Sequence, residues 1–256
     1  SEMCIRDRNE IVELVKDYVH PETGKTYNVD KLELKTDEGR GFGKAKFILK
    51  EGGTLGDLYT HADLKRDING NILIDDSGNV TAIDNAGDIK LGSVLPKANL
   101  AWNNSFSYKG INAGFLLTAR LGGIVYSATQ AYLDLYGVSE TSAAARDAGG
   151  VWINGRSRVN PQSFYEVVAS QSGLPTYYTY SATNLRLQEA HIGYTVPRRW
   201  LGNVCDINVS LVGRNLWMIY CKAPFDPEAV ATTNNYYQGI DYFMMPSTRN
   251  IGFNIK

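Results

Sequence analysis

Ser247-Thr248-Arg249-Asn250-Ile251-Gly252-Phe253-Asn254-Ile255-Lys256 puts its apolar side chains on one parity: Ile251, Phe253 and Ile255 alternate with Asn250, Gly252, Asn254 and Lys256. Successive strand residues point to opposite faces, so this stretch reads as a strand with one apolar and one polar side. The same alternation recurs in earlier stretches, separated in turn by very short and very long connections. That asymmetry is what a transmembrane β-barrel leaves in a sequence.

Working back from the C-terminus, strands fall at about 247–256, 204–219, 182–196, 110–120 and 98–109. In 204–219, Ile207, Val209, Leu211, Gly213, Trp217 and Ile219 alternate with Asp206, Asn208, Ser210 and Arg214. In 182–196 the phase slips: Leu185 and Leu187 share one parity, Ile192, Tyr194 and Val196 the other. A β-bulge near Glu189 keeps both halves on the apolar face and turns Glu189 to the polar one; the unbulged register would set a carboxylate against hydrocarbon. Strands 98–109 and 110–120 meet at Lys109-Gly110, where glycine supplies the positive φ of a tight hairpin, and Asn104 and Leu116 break the alternation. Pro197 to Asn203 forms the other short turn, with Trp200 placed for an interfacial aromatic belt.

The long connections, about 15–96, 121–181 and 220–246, are too long and polar for lipid and fall outside, while the short turns fall on the periplasmic side. Upstream the alternation is weaker. Asn9 to Leu14 reads as the end of a strand, Lys44 to Leu49 as a short β segment, and Asn69-Gly70 and Ser77-Gly78-Asn79 as two hairpin turns.

Composition excludes several classes. Lys and Arg number 26 against 27 Asp and Glu, a net charge of −1 that offers no long-range field for nucleic acid. Three cysteines (Cys4, Cys205, Cys221) and three scattered histidines (His20, His61, His191) make neither a disulfide framework nor a zinc site. No apolar run is long enough for a spanning helix, and the mean hydropathy of −0.26 does not argue against strands, which hide half their residues from lipid. There is no secretory signal and the chain opens on Ser1, so the natural N-terminus is expected to be missing, with residues 1–8 an assembly scar.

Catalytic and cofactor motifs fail on spacing. Asp67-Ile68-Asn69-Gly70-Asn71 with Asp75 and Asp76 lacks the glycine and bidentate Glu positions of an EF-hand, and reads as turns. Gly39-Arg40-Gly41-Phe42-Gly43 is not set between a strand and a helix, so it is no phosphate cradle. Asp226-Pro227-Glu228 pairs two carboxylates around a rigid proline, a turn more than an acid–base site. Neither an enzyme nor a cofactor is expected. The loop aromatics Tyr177, Tyr178, Tyr180, Tyr236, Tyr237 and Tyr242 are the candidate substrate-contacting residues; with Phe243 they form either an interfacial girdle or a stacking platform for a sugar or peptide.

Several short strings together resemble one family. Gly52-Gly53-Thr54-Leu55-Gly56-Asp57-Leu58-Tyr59, Leu91-Gly92-Ser93-Val94-Leu95-Pro96-Lys97, Asn104 to Gly110 and Arg120-Leu121-Gly122-Gly123 are similar to the late barrel of SusC/RagA-type TonB-dependent outer-membrane transporters. So are Ser181 to Glu189, Gly193 to Pro197, Gly213-Arg214-Asn215-Leu216-Trp217, Phe225-Asp226-Pro227-Glu228 and Pro246-Ser247-Thr248-Arg249, in order and approximate spacing. The resemblance covers residues 9–256 and implies the C-terminal part of a large antiparallel transmembrane β-barrel, an all-β fold, in the outer membrane of a Gram-negative bacterium. It implies import of oligosaccharides or peptides, a SusD-like surface lipoprotein as partner, and energisation by TonB through an N-terminal part outside this chain. The alternative is a soluble secreted β-sandwich that binds glycans, which would also show alternation and exposed tyrosines. A third reading, a secreted β-scaffold enzyme, would need a convergent polar site.

Overall fold

The structure is a computed structural model that describes residues 3–4, 10–34, 44–170, 173–202, 205, 207–231 and 238–255. Nine strands precede the long ones: β1 (Met3–Cys4), β2 (Tyr18–Val19), β3 (Thr26–Tyr27), β4 (Lys31–Leu34), β5 (Ala45–Lys50), β6 (Asp57–Thr60), β7 (Asp63–Leu64), β8 (Ala82–Ile83) and β9 (Ile89–Ser93). The hairpin β10 (Ala98–Tyr108) and β11 (Ile111–Leu121) follows, then β12 (Ile124–Ser127), α1 (Ala128–Leu135), α2 (Glu140–Asp147), β13 (Val151–Ile153), β14 (Ser157–Val159) and α3 (Pro161–Val168). The chain continues through β15 (Thr179–Ser181), β16 (Asn184–Val196), β17 (Ile207–Cys221), β18 (Ile240–Asp241) and β19 (Asn250–Ile255).

The main sheet is antiparallel in the order β1-β10-β11-β16-β17-β19. Cross-strand partners share a face, so the register sorts its residues into rows. Tyr108, Ile111, Tyr194, Val209 and Ile255 form one row, and Phe106, Ala113, Ile192, Leu211 and Phe253 the next. This face is bare: Ile251, Phe253 and Ile255 are 68%, 78% and 64% exposed, and Phe106, Ile192 and Leu211 are exposed beside them. A sandwich would bury such a face beneath a second sheet, and soluble monomers seldom leave one this wide in water. Rows on the other face are polar, such as Ser107, Asn112, Gly193, Ser210 and Asn254.

The phase slip in β16 is a bulge. Leu187 pairs with Leu117 and Glu189 with Leu116, leaving Gln188 without a cross-strand partner. Glu189 therefore stands on the polar face, where it is paired in register with Arg214 and forms an ion pair with it at 3.3 Å. Leu116, which breaks the alternation of β11, lies in that row. The β10–β11 turn has positive φ at both Lys109 (48°) and Gly110 (89°), as a two-residue hairpin matched to strand twist requires. At the second short connection, Arg198–Leu201 is a 3-10 turn.

Because neighbouring strands are antiparallel, the long connections 122–183 and 222–249 leave the same end of the sheet at which residues 10–97 enter it. They are not bare loops. One buried core takes Phe47, Leu58 and Leu64 from the first segment, Tyr126, Phe164 and Leu174 from the second, and Ile240 from the third. Parallel pairing of β12 with β18 binds the last two together.

Three α-helices correct the all-β expectation; the chain is mostly β. Their cause is local: Ser127 accepts from the Gln130 N–H, Ser139 from the Ser142 N–H, and Asn160 from the Gln162 N–H ahead of Pro161 at the first helical turn. Asn9 to Leu14 is a second correction. No strand runs through 11–16; Ile11 instead exchanges backbone hydrogen bonds with Gly52 and Gly53, and Glu10 makes one bridge to Thr54. The two turn motifs at Gly70 and Gly78 are tight turns of one design. Asp67 accepts from the backbone N–H groups of Asn69 and Asn71, and Asp75 from those of Ser77 and Asn79. Those carboxylates are occupied by their own backbone, as in an Asx-turn. The Gly39 to Gly43 string lies outside the described residues. Met3–Cys4, within the stretch set aside as a scar, pairs with Leu100 and Asn99 at the β10 edge. No helix among the described residues is long and apolar enough to cross a membrane.

Candidate functional site

Where the polar face meets the long connections, β16 and β17 present Asn184, Arg186 and Asn215, while Trp217, across from Leu187, stands on the apolar face. Strand geometry is broken here on both sides, by Gln188 in β16 and by Asn215 in β17, whose φ is +51°. Asn tolerates that conformation better than most residues. Gln188 donates to the Asn215 side chain at 2.9 Å, and Asn215 donates to the Thr248 carbonyl at 3.2 Å, so the two irregular positions hold the start of the last strand.

Arg186 is the centre of the cluster and only 4% exposed. It donates to Asp226 at 2.7 Å and lies 3.3 Å from Glu228. A buried guanidinium needs such partners, since an uncompensated charge there would be strongly destabilising. Asp226 also accepts from the Glu228 N–H, which makes Asp226-Pro227-Glu228 the turn its proline implies, and from the Ser247 hydroxyl. One carboxylate thus joins both ends of the 222–249 connection and pins them to β16. Burial works to raise the Asp226 pKa, but the hydrogen bonds from Ser247 and Arg186 outweigh it and hold the carboxyl below its ordinary range.

Beside this cluster lies a cavity of about 480 Å³, lined by Arg186, Trp217, Met218, Phe225, Pro246 and Arg249 among others. Sequence reading did not assign Arg186 or Arg249 to a site, and it placed Trp217 on the apolar parity of its strand. Arg186 and Arg249 sit inside strings noted for family resemblance, and only folding brings those strings together.

The tyrosines chosen from sequence separate into different environments. Tyr178 is buried, its hydroxyl donating to Asp134 at 2.9 Å, so its ring is core and cannot stack on an outside ligand in this conformation. Tyr177 is half-buried against Phe164, with ring centroids 6.2 Å apart. Tyr180 packs edge-on to Phe225 at 5.5 Å; burial, with the Asp134 charge second, pushes its pKa up to about 12. Tyr242 joins Phe243 and Tyr132 of α1 in an exposed aromatic group, with centroids 5.2 to 6.3 Å apart. Tyr236 and Tyr237 lie outside the described residues. Tyr132 was missed because its stretch was read as loop. Ser127, three residues before the Gln130 N–H it caps, was the signal available.

No protein-family model matches the chain. It is 23% identical over 254 residues to the TonB-dependent receptor P3 of Formosa agariphila, an alignment that covers 89% of this chain and 24% of the relative. Its fold matches the RagAB peptide importer in the open-open state with a TM-score of 0.53, at 17% identity, covering 97% of this chain and 25% of that chain. The closed-closed state of that importer matches with a TM-score of 0.51, at 16% identity, covering 88% and 28%. The chain is a distant homologue of a TonB-dependent receptor, with a fold that corresponds to a portion of a large transporter, and it spans about a quarter of the length of the curated relative.

Proposed function

We propose that this distant homologue of a TonB-dependent receptor is part of an outer-membrane nutrient importer, in which the main sheet is a section of barrel wall and the three long connections form an extracellular cap. The observation that carries this reading is the sheet itself: one face is apolar and bare, the other polar, all long segments gather at one end and both short turns at the other. In a barrel the bare face meets lipid and the polar face lines the lumen. The unpaired edge of β19 would then be covered by another strand of the same wall, since an open edge has no place in hydrocarbon.

The structural neighbours import peptides, which favours peptides over oligosaccharides as cargo here. The family resemblance adds a SusD-like surface lipoprotein at the capped end and TonB engagement through a part of the parent protein outside this chain. These assignments make the protein a transporter and not an enzyme. The test is uptake by cells carrying or lacking the parent gene, with TonB present or deleted, of a labelled peptide mixture and a labelled oligosaccharide mixture. Gene- and TonB-dependent peptide uptake is the expected result. Uptake indifferent to both deletions would overturn the import reading, and uptake of saccharides alone would reverse the cargo.

A further inference from the structure

Every residue from Tyr242 to Ile255 is exposed, in a run that leaves the cap and becomes β19. At its upper end the rings of Tyr242 and Phe243 meet Tyr132 of α1, at centroid distances of 5.2 to 6.3 Å. Two bonds to the start of α1 fix them there: Ser127 donates to Asp241 at 2.6 Å, and Thr129 accepts from the Phe243 N–H at 2.7 Å. Phe243 is held at a φ of +50°, which a bulky residue rarely takes, and it is still 57% exposed. Met244 and Met245 follow, exposed as well. An apolar patch that is anchored from behind and left bare in front marks a contact surface.

The same run points to what covers it. β19 pairs with β17 on one side only, and in a closed wall its other edge takes a further strand. β17 continues from Arg214, opposite Asn250, up to Cys221. A further strand of that height would climb roughly 23 Å past Asn250, at about 3.3 Å per residue, alongside 242–249. The patch and the open edge are then one continuous surface, and one neighbour covers both. We propose that Tyr132, Tyr242, Phe243 and Met245 form an intramolecular seam, packed against the connection that this further strand carries in the part of the parent protein outside this chain. The proposal rests on the wall reading. Neither a separate protein nor a cargo molecule would be continuous with the β19 edge.

The test places the photo-crosslinking residue p-benzoylphenylalanine at Phe243, Met245 or Ile68 of the full-length parent in cells and identifies the joined peptides by mass spectrometry. Ile68, fully exposed on a turn of the cap, is the control. Positions 243 and 245 should join peptides of the parent outside residues 1–256, and position 68 should not. Joining that stays within residues 1–256 would overturn the seam; the contact of Phe243 with Tyr132 makes 128–135 the internal measure that the reagent reacts. Joining to another protein, to lipid or to cargo would overturn it too, as would equal joining from position 68. Cys205, with the other cysteines replaced by serine, reports on the wall in the same cells. If it is labelled by a membrane-impermeant maleimide before permeabilisation, the wall reading falls and the seam with it. If it is protected while 243 and 245 join nothing outside residues 1–256, the seam alone falls.

Discussion

At the scale of single residues, Asp226 carries more than its turn. Its carboxylate accepts from Arg186, Ser247 and the Glu228 N–H, so it closes the 222–249 connection and fixes it to β16. Since its folded pKa is depressed, its contribution is present above the ordinary Asp value and is lost as pH falls through the lower, folded value. Amide protection across 222–231 and 238–249 in the folded parent, measured as exchange corrected for its intrinsic pH dependence, should therefore be unchanged from neutral pH down to about 5, and should fall only below about 4, the unfolded Asp range. Asp226→Asn should give the faster exchange at every pH; exchange indifferent to both would remove the clasp. Arg186→Met leaves two carboxylates facing a buried apolar group and should lower unfolding stability in urea by about 3–5 kcal/mol. A loss near zero would mean that water already reaches the pair. The clasp was not legible in the sequence, where Asp226 read as a turn residue and Arg186 stood only within a string noted for family resemblance.

Among the elements, the strands were the legible part. The alternation in Ile251, Phe253 and Ile255 is a local consequence of pleating, and it survives into the structure as one exposed face. The slip in β16 was legible for the same reason, because a change of parity within one strand has few causes besides a bulge. Helices α1 to α3 were not read, since eight residues hold barely two turns and their polarity resembles that of a loop. Their caps were the signal that polarity hid. Two predictions belong here. Leu211→Arg sets a charge in the apolar row between Ile192 and Phe253 and should cost about 2–4 kcal/mol or abolish assembly in the outer membrane. Ser210→Arg, one residue away on the polar face, should assemble normally. Equal effects would contradict the assignment of faces. Deleting Gln188 should flip Asn184–Leu187, turning Arg186 towards the apolar side, and assembly should fail. Normal surface levels of the deletion would show that the bulge is dispensable.

For the whole molecule, the sheet has its bare face on one side and, among the described residues, the extensive core lies at one end, inside the cap made by segments 10–97, 122–183 and 222–249. That division of labour could not be read from any one stretch. The cap core joins residues as distant as Phe47 and Ile240, and such pairings follow from topology, not from local pattern. In the import reading the wall is solvated by lipid and the cap by water, which explains why one chain can be apolar on its sheet and polar around it. The central claim is that the two ends of the sheet lie on opposite sides of a membrane. Its most direct measurement is whole-cell labelling of the full-length parent with a membrane-impermeant maleimide, other cysteines replaced by serine. Single cysteines are compared at Ile68 and Tyr136 in the cap and at the native Cys205 of the short-turn end, all three exposed. The account predicts labelling at 68 and 136 in intact cells, and at Cys205 only after the outer membrane is permeabilised. Labelling of all three in intact cells, or recovery of the protein in a soluble fraction with all three reactive, would contradict it.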